Sequence, residues 1–159
     1  WKWMMAVVGV CPGVGALVLA TLSDRIGRKP PMIVGAALMT IPPLALLLVP
    51  ATPTFLTVLM FLGWMGMGIF PLFMGVVPAE TLGKARAATA MGLVVGIGEL
   101  TGGVLGPLVA GQLADNYSLD VAMWLQAGLA AAGALTALLL SETNPRVLAR
   151  RGQLGVTHA

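Results

Sequence analysis

One carboxyl group in this sequence lies deep inside a long apolar stretch. Glu99 is eleven residues beyond Ala88, or roughly 17 Å along a helix, which is near the middle of a hydrocarbon core about 30 Å thick. An ionised side chain there costs at least ~2.5 kcal/mol, so we expect it to face a cavity or a partner. A carboxyl group in that setting can take up and release protons, which makes Glu99 a candidate proton-coupling residue. The alternative is a structural role, with a protonated Glu99 hydrogen-bonded to a neighbouring helix.

Three further residues are candidates for lining the same cavity. Thr101 lies two positions beyond Glu99 in the same stretch. Trp64 and Met67 lie in an earlier apolar stretch, where an aromatic ring and a soft thioether would form one wall for a solute. At helical spacing, residues such as Trp64 and Met67 more often belong to ordinary helix packing, so that alternative stays open.

A second set of candidate residues is charged and lies between the apolar stretches. Asp24 at a helix end can meet the positive N-terminus of a neighbouring helix, while arginines hold it through charge-assisted hydrogen bonds. Exposed ion pairs contribute only ~0–1 kcal/mol each, so such a network suits a gate better than a stabilising core. Membrane topology alone explains the basic residues here, but it does not explain Asp24 or Gly27. The predicted gate residues are Asp24, Arg25, Gly27, Arg28, Glu80, Arg86 and Glu142.

The elements that must position these residues are membrane helices. The chain is 58% hydrophobic and 9% charged, whereas soluble domains carry about 25% charged residues. Five apolar stretches each approach or exceed the ~20 residues that a helix needs to cross the bilayer. None alternates in the way transmembrane β-strands do, so the sequence predicts an all-α integral membrane protein with five transmembrane helices. The predicted spans are 3–22, 31–50, 54–77, 88–112 and 120–140.

The basic residues predict how these helices are oriented. Loops 51–53 and 113–119 contain no Lys or Arg, whereas the other connections and the C-terminus do. The positive-inside rule therefore puts the basic segments in the cytoplasm. We expect a multi-pass protein of the inner (plasma) membrane, with a helix bundle over residues 1–142 and a cytoplasmic tail over 143–159. The basic clusters are Arg25, Arg28 and Lys29; Lys84 and Arg86; and Arg146, Arg150 and Arg151.

Small residues follow one face of the fourth predicted helix. Their spacing of four and three residues places them on the same side as Glu99. Such faces let a second helix approach closely, which is how helices associate where lipid removes the hydrophobic drive. We predict helix packing at Gly92, Gly96, Gly103 and Gly106.

Several functions are disfavoured by the composition. The single histidine, His158, lies in the polar tail, and the sequence has neither a Ser-His-Asp nor a Cys-His set, so it does not predict an enzyme. The one cysteine, Cys11, lies in an apolar stretch, and the sequence predicts no metal site and no cofactor. The net charge of +3 follows from membrane topology, so we expect no nucleic-acid partner.

Three segments carry a resemblance to a known family. Residues 20–29 resemble the loop signature of the major facilitator superfamily, Gly-x-Leu-Ala-Asp-Arg-x-Gly-Arg-Lys, with Ala20 in place of the first Gly. Residues 78–92, with Glu80 followed by Arg86, are similar to that family's loop between the tenth and eleventh helices. Residues 141–145 are similar to the end of the twelfth helix in sugar-porter-like members.

The resemblance implies a fold and a function. It assigns the five helices to positions eight to twelve, a partial C-terminal six-helix bundle whose N-terminal half is missing and whose substrate lies between the two halves. The run Gly-Glu-Leu-Thr-Gly-Gly at residues 98–103 resembles metabolite–proton symporters for organic acids or sugars. The expected partners are a small solute, protons, membrane lipid and the missing half. The alternatives are a multidrug–proton antiporter of the same superfamily and a membrane fragment that does not transport.

Overall fold

The computed structural model describes residues 2–49, 52–150 and 152, and these residues form helices without a strand. Five helices are long and apolar enough to cross a membrane. The predicted all-α membrane fold with five transmembrane helices is therefore confirmed. We call these helices spans 1 to 5: Met5–Ile26, Lys29–Leu48, Pro53–Leu82, Ala85–Asn116 and Leu119–Leu138.

Spans 1 and 5 are regular α-helices, whereas the three spans between them are interrupted. Span 2 breaks before Ile41, where Pro42 lacks the backbone N–H that a continuing helix would use. Its two helices are Lys29–Leu38 and Ile41–Leu48. Span 3 consists of the helix Pro53–Met65, the 3-10 turn Gly66–Ile69, the π-helical segment Leu72–Val76 and the helix Val77–Leu82. Span 4 consists of the helix Lys84–Gly98, the π-helical segment Glu99–Leu105 and the helix Gly106–Asn116.

Several helices extend beyond the apolar stretches into polar sequence. The first helix continues to Ile26, because the polar residues after Leu22 keep the helical backbone bonds. It stops at Gly27, whose φ of 111° lies in the left-handed region that favours glycine. Gly83, with φ of 72°, separates spans 3 and 4 in the same way. After span 5 the chain forms a short helix, Pro145–Arg150, and most of the predicted tail beyond it lies outside the described residues.

Spans 1, 2 and 3 pack closely because glycines replace side chains where they cross. A Cβ on Gly15 of span 1 would lie 2.8 Å from the carbonyl carbon of Met65 in span 3. A Cβ on Gly66 would lie 2.8 Å from Cγ of Met39 in span 2. Any larger residue at these positions would force the helices apart. One buried cluster joins the three spans: Leu19, Ala36 and Ile69.

Span 4 packs least against the rest of the chain. None of its most apolar 18 residues is buried, whereas 39% of the corresponding residues of span 3 are. Its first helix mainly contacts the end of span 3, and its last helix mainly contacts span 5. The middle of span 4, which contains Glu99, therefore lies between two separate attachments.

Candidate functional site

Polar side chains tie together the ends of spans 1, 2, 3 and 5. The last turn of span 1, the turn before span 2, the last turns of span 3 and the segment after span 5 each contribute. We call this group the polar cluster: Ser23, Asp24, Arg28, Glu80, Glu142, Thr143 and Asn144.

Arg28 is the centre of the polar cluster. Its guanidinium donates to Oε1 of Glu80 at 2.8 Å and to Oδ1 of Asp24 at 2.6 Å. It also donates to the Ser23 hydroxyl at 2.9 Å. The hydrogen bonds to Glu80 raise the pKa of Arg28 above its ordinary value; partial burial opposes this shift and Asp24 adds to it. Because the side chains of Arg28 and Glu80 are only 12% and 17% exposed, this ion pair is better shielded from solvent than a surface pair.

Glu142 closes the polar cluster from the opposite side. Its carboxylate accepts hydrogen bonds from the backbone N–H groups of Arg28 at 2.7 Å and Lys29 at 3.2 Å. These donors are at the N-terminus of span 2, whose helix dipole also favours a negative charge. The N–H groups of Thr143 and Asn144 donate to the same carboxylate. Burial alone would raise the pKa of Glu142, but these four backbone donors lower it below its ordinary value.

The structure brings five of the predicted gate residues together: Asp24, Gly27, Arg28, Glu80 and Glu142. Gly27 belongs to this group because a Cβ there would overlap the Glu142 carboxylate. Arg25 and Arg86 are exposed and form no ion pair with the described residues. Adjacent residues on a helix do not share a face, so Arg25 does not reach the partners of its neighbour Asp24. Their predicted gating role has no support in these contacts.

Sequence reasoning missed three members of the polar cluster. Ser23 is fully buried, and its carbonyl oxygen accepts from Nδ2 of Asn144, which is 2% exposed. The Thr143 hydroxyl donates to Glu80 at 2.8 Å. The available signal was the run of four polar residues at 141–144 directly after an apolar helix. The segment assigned to a tail therefore begins as part of the packed structure.

Glu99 begins the π-helical segment of span 4 and is exposed. Its carboxylate lies over Gly103 one turn later, since a Cβ on Gly103 would be 2.8 Å from Oε2 of Glu99. The glycine leaves room that a larger residue would fill. π-Helical segments within α-helices are rare and occur frequently at functional sites. The proton-coupling role of Glu99 stays a prediction.

The other predicted cavity residues line two separate cavities. Thr101 lines a cavity of about 530 Å³ between spans 4 and 5, which we call the outer cavity. Trp64 and Met67 line a cavity of about 60 Å³ between spans 2, 3 and 5, which we call the inner cavity. Glu99 lines neither of them. The four residues do not meet, because the middle of span 4 stands away from span 3.

Gln126 in span 5 lines both cavities and was not predicted. It lies seven residues after Leu119, roughly 10 Å into the span. Its side chain is exposed and forms no hydrogen bond with the described residues. An amide within an apolar helix was the sequence signal, since polar groups in membrane spans are costly and often functional.

The glycine face of span 4 meets no neighbouring helix in the described residues. A Cβ on Gly92 or Gly96 would have nothing within 4 Å, and one on Gly103 or Gly106 would meet only span 4 itself. The glycines that do bring helices together lie in spans 1 to 3 instead. Helix packing by the span 4 glycines stays a prediction that requires a partner other than these residues.

Comparison with known proteins gives one match. The family model described as Major Facilitator Superfamily matches residues 2–157, which include all five spans, the polar cluster and both cavities. Searches of curated proteins and of solved structures found no match.

Proposed function

Because this chain belongs to the major facilitator superfamily, whose members are transporters and not enzymes, we propose that it moves a small organic solute by proton-coupled alternating access. The solute class is an organic acid or a sugar-like molecule. The chain is a multi-pass membrane protein, and we place it in the inner (plasma) membrane with its C-terminus in the cytoplasm.

The position of Glu99 is the observation that carries this proposal. It is an ionisable side chain in the middle of the least packed span, at the start of a π-helical segment and beside a bare glycine. A carboxyl group there can change protonation as span 4 moves between environments, because its surroundings are not fixed by close neighbours. Proton binding and solute movement would then be coupled through one helix.

The polar cluster acts as the gate in this proposal. It links spans 1, 2, 3 and 5 through Arg28 and Glu142, and among the side chains that the structure describes it makes no link to span 4. Charge-assisted hydrogen bonds of this kind can break and re-form at modest cost as helix ends separate. The cluster would hold the ends of these four spans together while the gate is closed and release them when it opens.

The glycine face of span 4 supports the proposal of a second half. Small-residue faces serve close helix contacts, yet Gly92 and Gly96 have nothing near them in the described residues. In the superfamily, the substrate lies between two halves that rock against each other. We propose that an N-terminal half of the same transporter covers this face, and we call the chain together with that half the complete transporter.

Uptake into proteoliposomes tests the proposal. The complete transporter is reconstituted, and accumulation of radiolabelled organic acids and hexoses is measured with an imposed pH gradient. We expect accumulation that a protonophore abolishes, and no accumulation by the 159-residue chain alone. Export of a cationic dye against the gradient would favour the multidrug antiporter instead, and uptake that ignores the protonophore would contradict proton coupling.

A further inference from the structure

The outer cavity has the dimensions of a small-molecule site. Its volume of about 530 Å³ falls within the ~300–1,000 Å³ typical of ligand pockets. Its span 4 wall combines residues of the π-helical segment, including Gly102, with residues of the following helix, including Gly106. Span 5 supplies the opposite wall through Ala122, Met123 and Leu129. Most of the surface that an occupant would touch is therefore apolar.

Two side chains in this lining are polar, and they are not equivalent. The Thr101 hydroxyl donates to the carbonyl oxygen of Ile97 at 2.7 Å, within its own helix. Its donor is therefore used, and it offers the cavity a methyl group and an acceptor. Gln126 forms no such bond with the described residues, so both its N–H groups and its carbonyl oxygen are free for an occupant.

This arrangement favours one kind of solute over another. A primary amide presents a donor beside an acceptor, and a protonated carboxylic acid presents the complementary pair, so the two can form two hydrogen bonds at once. A sugar has many hydroxyl groups, and most of them would be left without a partner against an apolar wall, at about 1–3 kcal/mol each. An ionised carboxylate would also be disfavoured, because none of the described residues in the lining is basic.

We propose that the outer cavity binds a small monocarboxylic acid with an apolar body, taken up in its protonated form, and that Gln126 recognises its carboxyl group. This inference rests on the proposed transport function and narrows its solute class. Gln126 also lines the inner cavity, so the carboxyl group would bind beside Gln126 and the body of the solute would fill the larger, outer cavity.

Equilibrium binding to the full 159-residue chain in lipid nanodiscs tests the inference. The probes are benzoic acid at pH 4, where most of it is protonated, toluene, which has the same aromatic ring without a carboxyl group, and glucose. We expect saturable binding of radiolabelled benzoic acid that glucose does not displace. Gln126→Met keeps the side-chain volume but cannot form the two hydrogen bonds. Because each bond contributes about 1 kcal/mol, benzoic acid should bind this variant more weakly by roughly tenfold or more.

The controls separate loss of recognition from loss of fold. Toluene binding by Gln126→Met should equal that of the wild type, which also shows that the cavity is intact. Gln112→Met, in span 4 outside the outer cavity, should bind benzoic acid normally. Unchanged benzoic acid binding in Gln126→Met, displacement by glucose, or a cavity occupied by lipid with no saturable binding would each overturn the inference.

The same assay keeps this inference distinct from proton coupling. No gradient is applied, so binding is measured apart from proton-driven uptake, and Asp115→Asn, at an exposed position of span 4 outside the cavity lining, should bind benzoic acid like the wild type. Proton-driven uptake of another solute, together with no benzoic acid binding, would leave the proposed function standing and remove the inference. Benzoic acid binding without proton-driven uptake would support the binding site and contradict the proposed proton coupling.

Discussion

Spans 3 and 4 both lose regular helical geometry within their length, but only span 3 packs tightly against its neighbours there. In span 3, the glycines of the 3-10 turn press against neighbouring backbone, and a Cβ on Gly68 would overlap Gly15 and Ala16. In span 4, a Cβ on Gly98 or Gly102 beside or within the π-helical segment would have nothing within 4 Å. An irregular segment is thus fixed by packing in span 3, where it is a 3-10 turn, and left open in span 4, where it is π-helical.

In the proposed mechanism, this difference in packing distinguishes a rigid span from a span that moves. A strained or irregular segment persists as a rigid feature when its neighbours over-determine it, as they do around span 3. Segments with few buried contacts belong to the low-stability parts of a protein, from which mobile elements are drawn. In the proposed mechanism, spans 1 to 3 would therefore form a fixed frame, and span 4, with Glu99, would be the element that responds to protons.

Removing the charge of Glu99 gives the largest expected effect. Glu99→Gln in the complete transporter keeps the shape and hydrogen-bonding capacity of the side chain but cannot ionise. Accumulation driven by a pH gradient should fall at least tenfold, while solute exchange without a gradient survives in part. The measurement is radiolabelled uptake into proteoliposomes. If Glu99 were a protonated structural residue, the substitution would be nearly silent, because Gln replaces a neutral carboxylic acid.

A second carboxylate in the same span provides the matched control. Asp115 is exposed at the far end of span 4. Asp115→Asn removes the same charge from the same helix, and accumulation should stay close to the wild-type level. Equal losses in the two variants would mean that the net charge of span 4 matters and that its middle has no special role.

Adding a methyl group tests the packing difference directly. Gly68→Ala in the 159-residue chain should lower the free energy of unfolding by about 1–3 kcal/mol, because the Cβ overlaps backbone that cannot give way. Gly96→Ala should be neutral or stabilising by about 0.5–1 kcal/mol, because alanine is the better helix former and space is available. Thermal unfolding followed by circular dichroism measures both.

The outcome for Gly96 also tests the proposed second half. In the complete transporter, Gly96→Ala should become destabilising, because the covering helix would meet the added methyl group. A neutral result in both settings would contradict the proposed contact. A destabilising result in the chain alone would contradict the open face of span 4.

The sequence predicts the helices of this fold better than their contacts. Apolar length and composition predict five spans, because each helix satisfies its own backbone in the membrane. The contacts depend on which glycines face one another across helices, and spacing along one helix does not contain that information. The regular spacing at Gly92 and Gly96 predicts helix packing, but the glycines with the closest neighbours include Gly15 and Gly66, which do not share that spacing.

The candidate site was predictable to a similar degree. Arg28, Glu80 and Glu142 could be predicted because each belongs to a short motif of charged residues, which is visible in the sequence without knowledge of the fold. The buried partners Ser23 and Asn144 are 121 positions apart, and only the fold brings them together. The π-helical segment at Glu99 had no sequence signal in the stripe of glycines, since the same residues fit a regular helix.

A smaller effect is expected in the polar cluster, where two arginines three residues apart differ in their contacts. Arg28→Lys keeps the charge but loses the planar fork that contacts Glu80 and Asp24, so unfolding should become easier by on the order of 1 kcal/mol. Arg25→Lys should stay within about 0.5 kcal/mol of the wild type, because Arg25 is exposed. Urea unfolding of the chain compares them, and equal effects would contradict the central role of Arg28.

The smallest expected effect is the pH dependence that Glu142 gives to the fixed frame. Its pKa in the folded chain lies below the ordinary value of 4.5, because four backbone N–H groups stabilise the charged form more than burial disfavours it. The unfolded chain therefore binds the proton more readily, and Glu142 stabilises the fold fully at pH values above 4.5. As the pH falls below that value toward the folded pKa, the carboxylate is protonated and the stabilisation is lost.

Glu142→Gln lacks the ionisation altogether, so its melting temperature should be below that of the wild type at pH 7, and the difference between the two melting temperatures should narrow as the pH falls below 4.5. Other carboxyl groups titrate in both proteins and cancel in the difference. A difference in melting temperature that stays constant with pH would show that Glu142 acts through its shape alone. The glycine contacts of spans 1 to 3 and the contacts of Arg28 would then stabilise the frame without a contribution from the charge of Glu142.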